Sequence, residues 1–171
     1  WQHTLTCGRR IIMAISQIQN ASLASGVPGY ANLPTGSVLQ VVNATYGVTV
    51  VNSTSTNADT GLTATITPKY STSKILVIVE QNGLAKAGNN YMQLLLFRNA
   101  TQLATFGNAL GYTNTTDQLR YGGVAMSYLD NPGTTSATTY KTVFNSQNNA
   151  FSVTVQDNSG LSTMTLLEIA G

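Results

Sequence analysis

From about Gly36 to its C-terminus the chain reads as one all-β, antiparallel β-sandwich domain, and three observations carry that reading. Short runs with period-two alternation are bounded by turn residues throughout. Thr, Asn and Ser make up 55 of the 171 residues, a mixture of β-branched strand formers and turn formers. Only 8% of residues are charged while 42% are hydrophobic, which is the opposite of a disordered composition. The length suits one domain with a proper core plus a short appendage.

The first segment, residues 1–12, holds the chain's only Trp, His and Cys and its only adjacent basic pair, Arg9-Arg10. It is compositionally foreign to the rest of the chain, and Met13-Ala14 looks like a translation start. Residues 1–12 are therefore expected to be read through from upstream sequence or left by cloning, the alternative being a loose native N-terminus. A secretory signal would need a longer apolar stretch and a small-residue cleavage site. In residues 13–24, Ile15, Ile18 and Leu23 fall at spacings that could line one face of a helix of about three turns. Such a stub is too short to be stable alone, so it reads as an anchor that docks on a partner or frays. Residues 25–36, SGVPGYANLPTG, read as an extended linker.

Within 37–171, strands are expected at Ser37 to Val42, Val48 to Asn52, around Leu62 to Ile66, Lys74 to Gln81, Tyr91 to Arg98 and Gln102 to Phe106. They continue at Val124 to Asp130, Thr138 to Phe144, Phe151 to Gln156 and Thr163 to Ile169, so about nine or ten in all. Phe151, Val153 and Val155 alternate with polar residues, as a strand with one buried face should. Three other runs are apolar on both alternating faces, and they carry the oligomer and core candidates: Ile75, Val77 and Val79; Leu94 and Leu96; Met164 and Leu166. A two-sheet sandwich covers one face of each sheet, so the second apolar face calls for cover. Another copy of the chain would supply it, and a closed homotrimer suits a stalked module. Loops or the linker lying across those faces are the alternative.

Composition also narrows the chemistry. Without Arg9 and Arg10 the basic and acidic counts are equal, and Lys69, Lys74, Lys86, Arg98, Arg120 and Lys141 are scattered singly, so no phosphate-binding patch for nucleic acid is expected. The apolar runs are too short for helical membrane insertion. Nucleophilic catalysis of the Ser-His or Cys-His kind needs an imidazole, and the only one is His3. One His and one Cys cannot make a zinc site, Cys7 has no partner for an internal disulfide, and no Gly-Lys-Ser/Thr phosphate loop occurs. Two carboxylates could serve a glycosidase, and Glu80 and Glu168 sit at strand ends, but a solvated strand terminus explains them equally. No enzyme, cofactor or metal is expected. Asp157-Asn158-Ser159-Gly160 is oxygen-rich enough for calcium, yet reads better as a tight turn with Gly left-handed. Five Asn-X-Ser/Thr triplets, at Asn20, Asn43, Asn52, Asn99 and Asn114, are what chance gives in so Asn- and Thr-rich a chain. The stretch Asn108 to Gly123 reads as the longest strandless segment, and Tyr112, Asp117, Arg120 and Tyr121 in it are candidates for holding a sugar ring.

Taken together, MAISQIQNASLASGVP, NLPTGSVLQVV, TGLTATITPKYSTSKILVIV, LFRNATQLA, SYLDNPGTTSATTYKTVF and STMTLLEIAG resemble segments of small virion proteins of tailed phages, especially those of marine and cyanobacterial hosts. The resemblance covers nearly everything except residues 1–12, which depart from it. It implies a fibre, head-decoration or tail-fibre component with a trimeric jelly roll similar to tumour necrosis factor and complement-type domains. It also implies a virion protein, made in the host cytoplasm, whose N-terminal segment attaches to capsid or tail proteins. The competing expectation is a host-recognition tip that binds a receptor or surface glycan.

Overall fold

The computed structural model describes residues 33–171, and the compact unit within it is Pro34–Gly171. The anchor candidates Ile15, Ile18 and Leu23, the leader and most of the linker lie outside the described residues.

In chain order the strands are β1 (Val38–Tyr46), β2 (Val50–Asn52), β3 (Ala58–Ile66) and β4 (Lys74–Gln81). Then come β5 (Ala85–Lys86), β6 (Asn90–Arg98), β7 (Thr101–Thr113) and β8 (Leu119–Arg120). The last four are β9 (Val124–Asp130), β10 (Thr138–Ser146), β11 (Val153–Val155) and β12 (Ser162–Ile169). All pairings are antiparallel. The eight long strands form two sheets, ordered β1-β12-β4-β9 and β3-β10-β6-β7. Successive strands mostly change sheet, and first and last strands pair side by side, which is the jelly-roll arrangement of two interlocked Greek keys.

The four short strands lie on the connections β1 to β3, β4 to β6, β7 to β9 and β10 to β12. They form a third sheet in the order β2-β11-β5-β8, which repeats the order of the first sheet. All four crossings therefore meet at one end of the sandwich, the tip. The opposite end, the base, gathers the β3–β4, β6–β7 and β9–β10 connections together with both ends of the unit. There Gly36 N donates to the Ala170 carbonyl and Ala170 N to the Ser37 carbonyl, both at 2.8 Å.

Alternation explains why these residues make these strands. In β3, Leu62, Ala64 and Ile66 are buried and Thr63 and Thr65 exposed, and Pro68, which has no N–H for the ladder, follows the strand. Gly61 bulges β3 at φ 88°, and a side chain there would run into the Tyr46 ring. Between the sheets Leu62, Ala64, Ile66, Leu96 and Tyr140 face Ile75, Val77, Val79, Met164 and Leu166. A second apolar cluster, Leu84, Met92, Leu94, Phe144, Val153 and Val155, fills the tip.

Two polar devices organise this interior. Among the buried polar residues, Thr60, Gln81, Thr142, Gln156 and Ser162 make one hydrogen-bonded set. The Thr60 and Thr142 hydroxyls lie 2.5 Å apart, Thr142 Oγ1 donates to Gln81 Oε1 at 2.9 Å, and Gln81 Nε2 donates to Ser162 Oγ at 3.0 Å. Gln156, with its amide nitrogen on the carbonyls of Val155 (3.2 Å) and Thr60 (3.3 Å), accepts from Gln81 Nε2 and Ser162 Oγ. At the base, Arg98 of β6 donates to both carboxylate oxygens of Asp130 of β9 at 2.9 Å. Tyr140 Oη of β10 donates to the same carboxylate at 2.6 Å. This clamp joins the two sheets, because β9 belongs to one and β6 and β10 to the other.

Burial pushes the phenols of Tyr121 and Tyr140 well above their ordinary value of about 10, and for Tyr140 the hydrogen bond to Asp130 and its negative charge add to the rise. A folded pKa raised above the unfolded one gives stability that is complete below pH ~10 and lost as pH rises beyond it. Stability is therefore expected to fall by up to about 1.4 kcal/mol per pH unit for each tyrosine above that point. Urea midpoints measured at rising pH check this. Tyr121→Phe should flatten the alkaline decline, and an unchanged decline in Tyr121→Phe and Tyr140→Phe together would contradict it.

Candidate functional site

The seven oligomer and core candidates, Ile75, Val77, Val79, Leu94, Leu96, Met164 and Leu166, are completely buried between the sheets. They form core and cannot touch another molecule. The outward positions of the same strands are different. Val42, Leu166, Val77 and Tyr128 belong to the core row across the first sheet, so their chain neighbours Val41, Leu167, Leu76 and Leu129 point out. Register places those four side by side across β1, β12, β4 and β9. Val41 is 58% and Leu129 54% exposed, with Leu76 and Leu167 half-buried between them. Ile78 and Val38 extend the apolar area on the same face and are also exposed. On β6 the outward Leu95 is instead nearly covered, lying in register between Val143 and Thr105. Of the two large sheets, the first is thus the one that carries a continuous uncovered apolar strip.

The candidate sugar-ring residues do not come together. Asn108 to Thr113 belongs to β7, and Leu119-Arg120 is β8, so the segment is not strandless. Tyr121 is packed into the tip core with its ring over Gly111 and its hydroxyl donating to the Leu110 carbonyl at 3.3 Å. Arg120 points to a different side, where Nε meets Asp157 Oδ2 at 2.5 Å. Asp117 is exposed between β7 and β8. Tyr112, 59% exposed, stands edge-on to Tyr91 with ring centroids 5.9 Å apart.

Arg120 and Asp157 line a cleft of about 120 Å³ in the small sheet, with Ala85, Lys86 and Thr154. Lys86, one of the singly scattered lysines, is only 2% exposed and donates to the Gly88 carbonyl (2.6 Å) and to the Thr113 hydroxyl. It staples the β5–β6 turn to the end of β7. The neighbouring turn is left-handed at Gln156, Asn158 and Ser159, whereas Gly160 has φ −57°. Glycine at 160 answers a close approach, since a Cβ would lie 2.8 Å from the Gly83 backbone. Asp157 is engaged by Arg120, and among the described residues no three His, Cys, Asp or Glu side chains are grouped to hold a metal.

Glu80 and Glu168 face opposite sides of the first sheet. Glu80 is exposed, while Glu168 is buried and accepts from Gln40 Nε2 (2.5 Å) and from the backbone N–H groups of Lys69 (2.6 Å) and Tyr70 (3.4 Å). Its carboxylate ties the β3–β4 loop to the base, and the two glutamates do not converge on a substrate.

A further cluster lies outside the candidates that the sequence suggests. On the outer face of the second sheet Gln93 Nε2 donates to Asn108 Oδ1 at 2.9 Å. Asn145 Nδ2 donates to Asn57 Oδ1 at 2.7 Å and to Gln93 Oε1 at 3.5 Å, and Asn145 Oδ1 accepts from Gln147 Nε2. This run of amides borders Tyr91, whose carbonyl accepts from Gln147 N at 3.2 Å. The period-two spacings Tyr91/Gln93 and Asn145/Gln147 are visible in the sequence, but their junction depends on the β10–β6 register. No family model and no curated protein matches the chain, so the reading of these surfaces rests on their chemistry.

Proposed function

We propose that the protein is a self-associating structural module of a tailed-phage particle, a homotrimer built through the outer face of the first sheet. The observation that carries the self-association is the row Val41, Leu167, Leu76 and Leu129, an apolar strip across a whole sheet that nothing among the described residues covers. A soluble sandwich normally keeps that face polar, and closed symmetry is the usual way such a strip is removed from water. The virion assignment comes from the sequence resemblance, and the jelly-roll topology of the described residues is compatible with it.

Light scattering on the full chain is expected to return three times the 18.1 kDa protomer mass. Val41→Glu with Leu129→Glu is expected to return the protomer mass. Both side chains are exposed in the protomer, so the variant is expected to fold with the parent's far-UV spectrum, its urea midpoint falling only by what association contributes. A monomeric parent, or a double variant that remains trimeric, would remove the reading. Antibody labelling of purified particles tests the location separately, with head or tail decoration expected and unlabelled particles counting against a virion role.

A further inference from the structure

We infer that the outer face of the second sheet, where Tyr91 and Tyr112 meet the amides of Gln93, Asn108 and Gln147, is a binding surface for a neutral carbohydrate. A pyranose presents an apolar C–H face and a rim of neighbouring hydroxyls, each a donor and an acceptor. The surface offers the complement of both. Tyr112 supplies an exposed ring, held edge-on by Tyr91 at an interplanar angle of 73°. The amides supply neighbouring uncharged donors and acceptors, which a pair of sugar hydroxyls can use together.

The amides are organised in advance. Asn145, 6% exposed, sits at the centre, receiving from Gln147 and donating to Asn57 and Gln93, while Gln93 donates onward to Asn108. These bonds use the Asn108 oxygen and the Gln147 nitrogen. The Asn108 Nδ2 and Gln147 Oε1 have no partner among the described residues and are left for a ligand. Holding side chains in a binding arrangement before contact lowers the ordering cost of association.

The backbone points the same way. Strand β7 slips register against β6 between Met92 and Leu94 and again between Asn90 and Met92, and Ala109 sits at φ 53°, a conformation few non-glycine residues adopt. Successive bulges of this kind re-aim side chains at a sheet edge, and here they fall at Asn108 and Tyr112. The Lys141 Nζ to Asp59 Oδ1 pair at 2.7 Å is self-neutralised, the Lys86 ammonium is buried on its own partners, and the amides carry no charge, so the cluster fits a neutral sugar.

The inference does not depend on self-association through the first sheet, which is the opposite layer. The test is binding of the full chain to a printed array of neutral gluco-, manno-, galacto- and N-acetylglucosamine oligomers with uronate oligomers alongside. The strongest neutral binder is then titrated by calorimetry. Neutral oligomers are expected to bind, Tyr112→Ala to weaken affinity about tenfold or more, and Tyr112→Phe to stay within about threefold because the ring is kept. Asn108→Ala should cost about three- to tenfold. Both positions are exposed, so the variants fold. Failure of every neutral oligomer, a response to uronates alone, or an unchanged affinity in Tyr112→Ala overturns the inference. A fall in particle mass on Tyr112→Ala would also overturn it, by showing the face to be a contact between copies.

Discussion

Asp130→Ala is expected to lower the unfolding free energy by about 3–5 kcal/mol, because it strands two groups at once. Arg98 has only 26% of its side chain exposed and loses both of its 2.9 Å bonds to the carboxylate. Tyr140, completely buried, loses the 2.6 Å acceptor for its hydroxyl. Conservative changes separate the parts. Tyr140→Phe leaves the ion pair intact and should cost about 1–1.5 kcal/mol, the worth of one buried hydrogen bond. Asp130→Asn keeps acceptor geometry for one partner and should fall between the two. Because the clamp joins β6 and β10 in one sheet to β9 in the other, its loss weakens docking of the sheets at the base while leaving each ladder intact. Urea unfolding at fixed protein concentration reads the effect, since association would otherwise shift the midpoint. A loss under about 1 kcal/mol in Asp130→Ala would mean that water already satisfies Arg98 and Tyr140.

Strands β4 and β9 lie where the sequence places them, and β3, β6, β10 and β12 differ only at their ends; β3 is recorded by its alternation, and β4, β6 and β12 by apolar runs bounded by turn residues. For β7, alternation stops at Phe106, since Gly107, Asn108 and Gly111 look like turn chemistry. They occupy a bulged edge strand instead, where one side faces solvent and alternation is broken. Strands β5 and β8 have two residues each, too few for any pattern. The double-sided apolar runs are legible as runs, but which of their residues point outward depends on the core. Val77 and Leu76 are chemically alike and only the sheet decides between them. Register likewise sets the fate of the candidate sugar site. Tyr112 stays exposed, Tyr121 plugs the tip core and Arg120 turns to Asp157, while the amides of Gln93 and Asn145, 52 positions apart in the chain, come together. The jelly-roll order is not a local property at all, since β1 pairs with β12 and β2 with β11.

Gln81→Met is expected to cost about 3 kcal/mol, and its partner substitution should recover part of that loss. Gln81 is completely buried and mediates between strands of both sheets: its oxygen accepts from Thr142 and its nitrogen donates to Ser162 and Gln156. Removing the amide takes the Gln81 acceptor from the Thr142 hydroxyl and one donor each from the Ser162 hydroxyl and the Gln156 carbonyl, which keeps Ser162 as donor; three buried hydrogen bonds are lost at about 1 kcal/mol each. Thr142→Val alone leaves Gln81 Oε1 unpaired and should cost about 1–2 kcal/mol. In the double variant both orphaned groups of that bond are gone, and Thr60 Oγ1 still has the Thr142 carbonyl at 3.2 Å as acceptor. The double variant is therefore expected to be more stable than the sum of the single losses by at least about 1 kcal/mol. Additivity within about 0.5 kcal/mol would show that the two side chains are independently satisfied. The same reasoning explains why a sandwich with so apolar a core retains a polar layer. With Leu62, Ile75 and Tyr140 on one side and Leu84, Met92 and Phe144 on the other, apolar packing tolerates several alignments of the tip on the sandwich. A chain of directional bonds from Thr60 through Thr142, Gln81 and Ser162 is satisfied in only one of them.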